Sequence, residues 1–167
     1  MDLQYEYRTG IGTDIHRLVP ERPLKLGGIE IPFDRGLLGH SDGDAALHAL
    51  MDALLGAAGL GDIGMMYPDT APQWKDADSR ALLLGVKERL EKDRWEPVNI
   101  DLIVHAEEPK LGPFKGQMRR CIAGLLDIDF GCVNVKAKTN EGFGEIGRGE
   151  AIAATAAVLL RRRIRSL

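Results

Sequence analysis

The spacing of apolar residues predicts helices over four parts of the chain. In 45–60, apolar residues recur every three or four positions, and the same spacing returns in 79–92 and 114–125. Ser41, with Asp44 three residues later, is predicted to begin the first helix, and Asp76 or Asp78 the second. The apolar run 151–160 predicts a last helix that begins at Glu150 or Ala151.

Alternating apolar and polar residues predict strands at 5–16, 97–104 and 133–138. Two short alternating segments, 24–26 and 29–31, flank Gly27-Gly28 and predict a hairpin. Gly10 and Gly12 would allow another backbone to approach the first strand closely. This order of elements predicts an α+β fold, a single sheet with helices packed on one face, formed by residues 1–167 as one domain.

The amino-acid composition indicates which partners and which cellular compartment to expect. With 44% hydrophobic and 28% charged residues the chain resembles an ordinary soluble protein, and its net charge of −3 argues against a nucleic-acid partner. The longest apolar run, 151–160, is too short to span a bilayer, so no membrane partner is expected. Cys121 and Cys132 lack C-x-x-C spacing and indicate a reducing compartment. We therefore expect a cytoplasmic protein.

The segment 10–48 contains the candidate chemistry, because it holds three of the four histidines. Asp14 and His16 are two positions apart in a predicted strand, so their side chains share one face. His48 follows on the first predicted helix. A carboxylate and two imidazoles with an open fourth position are the ligands of a catalytic zinc site. We predict that Asp14, His16 and His48 bind one divalent metal.

A structural interpretation competes with this one. An isolated D-x-H triplet more often caps a turn than binds metal, and His48 by itself could be a hydrogen-bonded helix histidine. The density of polar residues in 40–48 favours the metal site, because an amphipathic helix does not need two aspartates and two histidines where it begins. Asp42 and Asp44 are interpreted as residues of the helix start, in preference to direct catalysis. Asp44 could also orient His48 without itself binding the metal.

Several motifs closely resemble the 2-C-methyl-D-erythritol 2,4-cyclodiphosphate synthase family. They are Gly12-Thr13-Asp14-Ile15-His16, the block LLGHSDGDAALHALMDALLGAAGLGDIG at 37–64, YPDT at 67–70, ADSR at 77–80, NVKAKTNE at 134–141 and GRGE at 147–150. The resemblance extends from about residue 8 to residue 160. It implies a homotrimer with active sites between adjacent subunits. It also implies conversion of 4-diphosphocytidyl-2-C-methyl-D-erythritol 2-phosphate to the 2,4-cyclodiphosphate, with release of CMP.

The resemblance also implies roles for individual residues. Asp14, His16 and His48 would bind Zn²⁺, and Glu141 would hold Mg²⁺ or Mn²⁺ on the substrate diphosphate. His40 and Thr139 would be catalytic, stabilising the transition state. The implied substrate-binding residues are Ser41 at a phosphate; Asp62, Ile63, Gly64, Tyr67, Pro68, Asp69, Thr70 and Ala71 around the methylerythritol; Ala106, Pro109, Lys110, Leu111 and Gly112 at the cytidine; Lys138 and Asn140 beside Thr139; and Glu145 and Arg148 at the central cavity of the trimer.

The chain departs from the family pattern at three places. The family often reads T-T-T-E where this chain has 138–141, KTNE, which changes the flanking contacts but keeps Thr139 and Glu141. Glu145 stands where an apolar or aromatic residue is common, so an apolar ligand in the trimer cavity is not expected. Glu107 and Glu108 add negative charge near the nucleotide loop.

Two other functions fit the same residues. A zinc-dependent phosphohydrolase would use this metal site with water as nucleophile and release inorganic phosphate. A small-molecule-binding trimer would use zinc only to hold its structure. The sequence lacks the serine or cysteine arrangements of nucleophilic catalysis, which favours the intramolecular synthase reaction, in which no enzyme nucleophile is required.

Overall fold

A five-stranded sheet with helices on one face forms the centre of the computed structural model, which describes residues 4–164. The strands are β1 (Tyr5–Pro20), β2 (Leu24–Leu26), β3 (Ile29–Ile31), β4 (Arg35–Leu37), β5 (Glu96–His105), β6 (Val133–Lys138) and β7 (Ala151–Arg163). The helices are α1 (Ala45–Ala58), α2 (Ile63–Met66), α3 (Ser79–Lys92), α4 (Lys115–Leu126) and α5 (Gly144–Gly147).

The sheet is mixed and has the order β4-β1-β7-β5-β6. All neighbouring strands pair antiparallel except β5 and β6, which are parallel. The predicted hairpin forms a second, two-stranded sheet, β2-β3, with Gly27 and Gly28 at φ 60° and 78° in its turn. The α+β class is therefore confirmed, with this small sheet added to the single sheet that the sequence predicted.

The predicted last helix is wrong: its residues form β7, the middle strand of the large sheet. In β7 alternate side chains, from Ile152 to Leu160, are buried against the helices. The positions between them are also mostly apolar, so the sequence lacks the polar alternation that marks a strand with one exposed face. Pairing with β1 and β5 on both sides outweighs the helix propensity of the alanines.

Smaller differences concern where elements begin and end. The first strand continues to Pro20, beyond the predicted end at His16, because its last residues pair with β4. That strand, Arg35–Leu37, was not among the predicted strands. Asp44 is the N-cap of α1 in place of Ser41, while Asp78 caps α3 as predicted.

Helix α1 is central to the core, since Asp52 and Gly56 are its only residues that are not buried. It packs on β1 and β7, and its backbone comes unusually close to β1 at two glycines. A Cβ on Gly10 would lie 2.0 Å from the carbonyl oxygen of Ala53. The predicted close approach at Gly10 and Gly12 is thus observed, and it sets the side chains of α1 directly over the first strand.

The opposite face of β1 carries exposed apolar side chains. Ile11 is 72% exposed and Ile15 is 57% exposed, although both lie within the strand. They alternate with Gly12 and Asp14, which face α1.

Among the helices in 4–164, none has the length and apolar character needed to cross a membrane.

Candidate metal centre and active site

The structure brings Asp14, His16 and His48 together, with one ligand atom of each within 4.8 Å of the others. Asp14 Oδ2 lies 2.8 Å from His16 Nδ1 and 3.1 Å from His48 Nδ1. The period-two geometry of β1 places Asp14 and His16 on the face toward α1. The close packing of α1 on β1 brings His48 to the same point.

One atom of this cluster has no hydrogen-bond partner within residues 4–164. His16 Nδ1 is buried, and although it is near Asp14 its geometry does not form a hydrogen bond. A buried polar nitrogen left in this way is costly unless another group binds it. A cation between the two Nδ1 atoms and the Asp14 carboxylate would satisfy all three, so the residues present fit a divalent metal.

The charges of the cluster influence one another. Burial opposes ionisation of Asp14, but the polar and charge interactions with the neighbouring His16 and His48 imidazoles outweigh it and lower its pKa to about 2. Burial likewise disfavours the charged form of His48, yet the Asp14 carboxylate raises the pKa of that imidazole. Asp14 is therefore an anion at neutral pH, as a metal ligand must be.

The other nitrogen of His48 faces two hydroxyl groups. Its Nε2 lies 3.1 Å from Ser41 Oγ and 3.1 Å from Ser79 Oγ. Ser79 in turn donates from its hydroxyl to Asp42. Ser79 had no predicted role and Asp42 was interpreted only as a residue of the helix start, although Ser79 lies in the motif ADSR and Asp42 in the block 37–64. Nothing in the sequence indicates that residues 37 positions apart meet at His48.

Asp44 is the N-cap of α1 and does not orient His48. Its fully buried carboxylate accepts hydrogen bonds from the backbone N–H groups of Gly27 (2.9 Å), Gly28 (2.7 Å) and Leu47 (2.9 Å). Burial raises its pKa, while these donors act in the opposite direction. Asp44 therefore joins the β2-β3 turn to α1, which agrees with the helix-start interpretation.

A cavity of about 430 Å³ opens beside the metal cluster. It is lined by Asp14, His16, His40, Ser41, His48, Ile63, Gly64, Tyr67, Pro68, Asp69, Trp74 and Leu82. All but Trp74 and Leu82 were predicted as site residues. The Tyr67 hydroxyl donates to the Leu82 carbonyl (2.8 Å), and its ring packs edge-on against Trp74, with ring centroids 4.9 Å apart. Exposed His40 is held near Ala71, with its Nε2 3.4 Å from that carbonyl oxygen.

The residues implied to bind the cytidine and the diphosphate, 106–112 and 138–141, form a second group at the ends of β5 and β6. We call them the nucleotide segment. Ala106 N–H donates to the Lys138 carbonyl (2.9 Å), and Asn140 N–H donates to Glu107 Oε2 (3.2 Å). Thr139 Oγ1 donates to Glu141 Oε1 (3.2 Å). These contacts hold the loop 106–112 against 138–141, so the implied cytidine and diphosphate residues lie side by side.

The two groups are separated within one chain. Ile15 pairs with Ala153, Ala153 with His105, and His105 with Lys138, so all lie on one row across the sheet. Three strand spacings separate β1 from β6, roughly 14 Å. The metal cluster and the nucleotide segment of a single chain therefore do not form one pocket.

Glu145 and Arg148 form a third group, on and just after α5. Both side chains are exposed, and the guanidinium of Arg148 donates to the Glu150 carboxylate (2.8 Å). Arg148 also lines a cavity of about 400 Å³ with Arg17 and Arg35. Among the residues that the structure describes, no hydrogen bond or ion pair joins this group to the metal cluster.

Comparison with known proteins connects this geometry with a reaction. The model of the YgbB family matches residues 7–161. A relative from Neisseria meningitidis serogroup C, named 2-C-methyl-D-erythritol 2,4-cyclodiphosphate synthase, is 58% identical over 155 residues, which are 93% of this chain and 97% of the relative.

Two solved structures are also similar. One is the bifunctional IspDF of Campylobacter jejuni, at 46% identity and a TM-score of 0.92; the match covers 95% of this chain and 43% of that longer one. The other is a 2C-methyl-D-erythritol-2,4-cyclodiphosphate synthase in its CDP-bound form. It is 40% identical, with a TM-score of 0.84, and the match covers 92% of this chain and 99% of that one.

Proposed function

Because the chain belongs to the YgbB family, we propose that it carries out the 2-C-methyl-D-erythritol 2,4-cyclodiphosphate synthase reaction at the cavity beside Asp14, His16 and His48. It converts 4-diphosphocytidyl-2-C-methyl-D-erythritol 2-phosphate to the 2,4-cyclodiphosphate and releases CMP. The observation that carries the proposal is the convergence of these three side chains at the wall of the cavity.

The metal that fits the three ligands is Zn²⁺, since they leave a coordination position open toward the cavity. When bound, zinc supplies positive charge that polarises a phosphate group and offsets the repulsion between two anions. Asp14, His16 and His48 hold it from two elements that pack directly on each other, so the site is preformed by the core.

The reaction is an internal phosphoryl transfer. An oxygen of the 2-phosphate bonds to the β-phosphorus, and the bond from that phosphorus to the oxygen of the α-phosphate breaks, so the electron pair leaves with CMP. Both reacting groups belong to one molecule, so the protein has to fold the substrate and stabilise developing charge. In this proposal His40 and Thr139 donate hydrogen bonds to that charge, and Ser41 donates to a phosphate oxygen.

Two chains build each site in this proposal. The nucleotide segment of one chain lies roughly 14 Å from its own metal cluster, so the segment of an adjacent chain completes the cavity. The exposed apolar side chains of Ile11 and Ile15 give the sheet a surface for subunit packing. The assembly is a homotrimer, with Arg148 and Glu145 facing its central cavity. A ring of Glu145 carboxylates would disfavour an apolar ligand there.

A second divalent ion, Mg²⁺ or Mn²⁺, is held by Glu141. One exposed carboxylate does not form an ion site by itself, but such ions are commonly bound by one or two carboxylates together with substrate phosphates. The hydrogen bond from Thr139 orients the Glu141 carboxylate before the substrate binds.

Three further features complete the proposal. The chain acts as one domain, because one buried cluster extends from β1 to β7. Its ligand is a small anionic molecule and not a nucleic acid. It works in the reducing cytoplasm, which suits the free thiols of Cys121 and Cys132.

The decisive experiment is to incubate the purified chain with the CDP-linked 2-phosphate substrate and follow products by phosphorus NMR. The synthase forms CMP and a cyclic diphosphate in equal amounts, whereas a phosphohydrolase releases inorganic phosphate. Removal of zinc by a chelator should abolish product and leave the trimer intact, while dissociation of the trimer would identify zinc as structural. Absence of the cyclic product in the metal-loaded enzyme would refute the proposal.

A further inference from the structure

Behind the metal cluster, Asp42 makes two hydrogen bonds to one residue. Its Oδ2 accepts the backbone N–H of Ser79 (3.0 Å), and its Oδ1 accepts the hydroxyl of the same serine. Ser79 is the first residue of α3 and is fully buried. A carboxylate accepts hydrogen bonds but does not donate them, so the proton of the Ser79 hydroxyl is committed to Asp42.

The hydrogen bond from Ser79 to Asp42 determines the direction of the hydrogen bond between Ser79 and His48. With its proton on Asp42, Ser79 Oγ presents only a lone pair to His48 Nε2, which is 3.1 Å away. A hydrogen bond then requires the proton to be on Nε2. Nδ1 lies 3.1 Å from the Asp14 carboxylate. When a cation binds between Nδ1 and Asp14, a proton held on Nε2 leaves the Nδ1 lone pair to that cation.

Ser41 would permit the opposite arrangement. Its hydroxyl also lies 3.1 Å from His48 Nε2, and its own proton is not bound to an acceptor among the described residues. If Ser41 donated to Nε2, the imidazole proton would move to Nδ1 and block the metal-facing atom. The fixed direction of the Ser79 hydroxyl opposes this.

We infer that Asp42 and Ser79 are positioning residues, which hold the His48 proton on Nε2 and so direct Nδ1 toward the metal. The inference rests on the proposed metal site and adds two residues to it. Hydrogen-bond partners of metal-bound histidines typically contribute roughly 10- to 100-fold in metal affinity. Neither residue touches the substrate cavity as Ser41 does, so their contribution acts through His48.

The test compares zinc affinity in Ser79→Ala and Asp78→Ala, measured by competition with a chromophoric chelator. Asp78 is the partly exposed N-cap of the same helix, so its loss perturbs the start of α3 without touching His48. We expect Ser79→Ala to bind zinc roughly 10- to 100-fold more weakly and Asp78→Ala to bind it about as tightly as the native chain. Equal losses in both variants, or no loss in Ser79→Ala, would overturn the inference.

A second readout reports on the proton itself. In zinc-loaded protein with ¹⁵N-labelled histidine, NMR should show His48 protonated on Nε2 and bound through Nδ1. A proton on Nδ1 would contradict the inference regardless of affinity. Asp42→Asn provides a second variant if Ser79→Ala does not fold. Its single amide oxygen cannot accept both Ser79 donors in their present geometry, and the same loss of affinity is expected.

The experiment separates this inference from the proposed function. If the native chain binds zinc and forms the cyclic product while Ser79→Ala binds zinc equally well, only the positioning role fails. If the native chain binds no zinc, the proposed metal site fails, and the positioning role fails with it.

Discussion

A Cβ on Gly12 would lie 2.1 Å from the carbonyl oxygen of Ala49, so the backbones of β1 and α1 are in direct contact at this point. His48 precedes Ala49, and Asp14 follows Gly12 by two positions on the same face of the strand. Asp14 and His48 therefore meet because the strand has no side chain where the helix crosses it.

Replacing Gly12 by alanine should separate the two elements. We expect Gly12→Ala to lower the free energy of unfolding by about 1–3 kcal/mol, because the added methyl group overpacks a backbone contact. The variant should also bind zinc more weakly, since His48 moves away from Asp14. Urea unfolding and metal analysis measure the two effects. Gly56→Ala is the control: a Cβ there meets no atom within 4 Å, and alanine should stabilise α1 by about 0.5–1 kcal/mol.

Metal content should depend on the three ligands and not on histidines in general. Asp14→Ala, His16→Ala and His48→Ala should each purify with much less than one zinc per chain, because two ligands hold zinc poorly. His105, at the end of β5, lies outside the cluster, so His105→Ala should keep the native content. Elemental analysis of the purified variants checks this. Full occupancy in all three ligand variants would contradict the assignment.

Asp44 should contribute far more to stability than an exposed helix cap. Asp44→Ala leaves three backbone N–H groups without their acceptor in the core, so we expect a loss of about 3 kcal/mol or more. Asp78→Ala removes the partly exposed cap of α3 and should cost about 1 kcal/mol. Chemical denaturation of both variants tests the contrast, and similar losses would show that the link to Gly27 and Gly28 contributes little.

The hydrogen bond between Glu107 and Asn140 should matter for catalysis. Glu107→Ala frees the segment that carries Thr139 and Glu141 from the nucleotide loop, so we expect kcat/KM to fall about tenfold, equivalent to about 1.4 kcal/mol. Glu107→Gln keeps an acceptor and should recover most of the rate. Glu108→Ala alters the exposed neighbouring residue and serves as the charge control. Equal rate losses in the two alanine variants would assign the effect to charge alone.

The exposed face of β1 should control assembly without affecting the metal cluster. Ile11→Asp and Ile15→Asp place charge on the surface proposed to pack between subunits, so light scattering should report a single 18.3 kDa chain. Each variant should still bind zinc, because all three ligands come from one chain, and should lose activity, because the nucleotide segment of a neighbour is missing. Leu84→Asp, on the exposed side of α3, should remain trimeric. Native assembly in both isoleucine variants would move the interface elsewhere.

Local sequence patterns correctly predicted those features of the fold and site that depend on the backbone geometry of a few consecutive residues. The D-x-H spacing in β1 places Asp14 and His16 on one face, and the Gly27-Gly28 turn forms its hairpin, because both follow from the backbone of a few consecutive residues. The motifs in 37–64 also identified the family, which the comparisons confirm.

Contacts between distant segments were decided only by the tertiary structure. The alanine-rich segment of β7 has apolar residues on both faces, so its period is ambiguous until β1 and β5 pair with it. Ser79 reaches His48 because α3 packs against α1, a contact that no spacing along the chain encodes. The sequence by itself determined that Asp14 and His16 share one face of β1, and it determined most of the other elements, since these depend on neighbouring residues. Packing determined the residues behind His48 and the distance from the cluster to the nucleotide segment, since both depend on how separate elements come together.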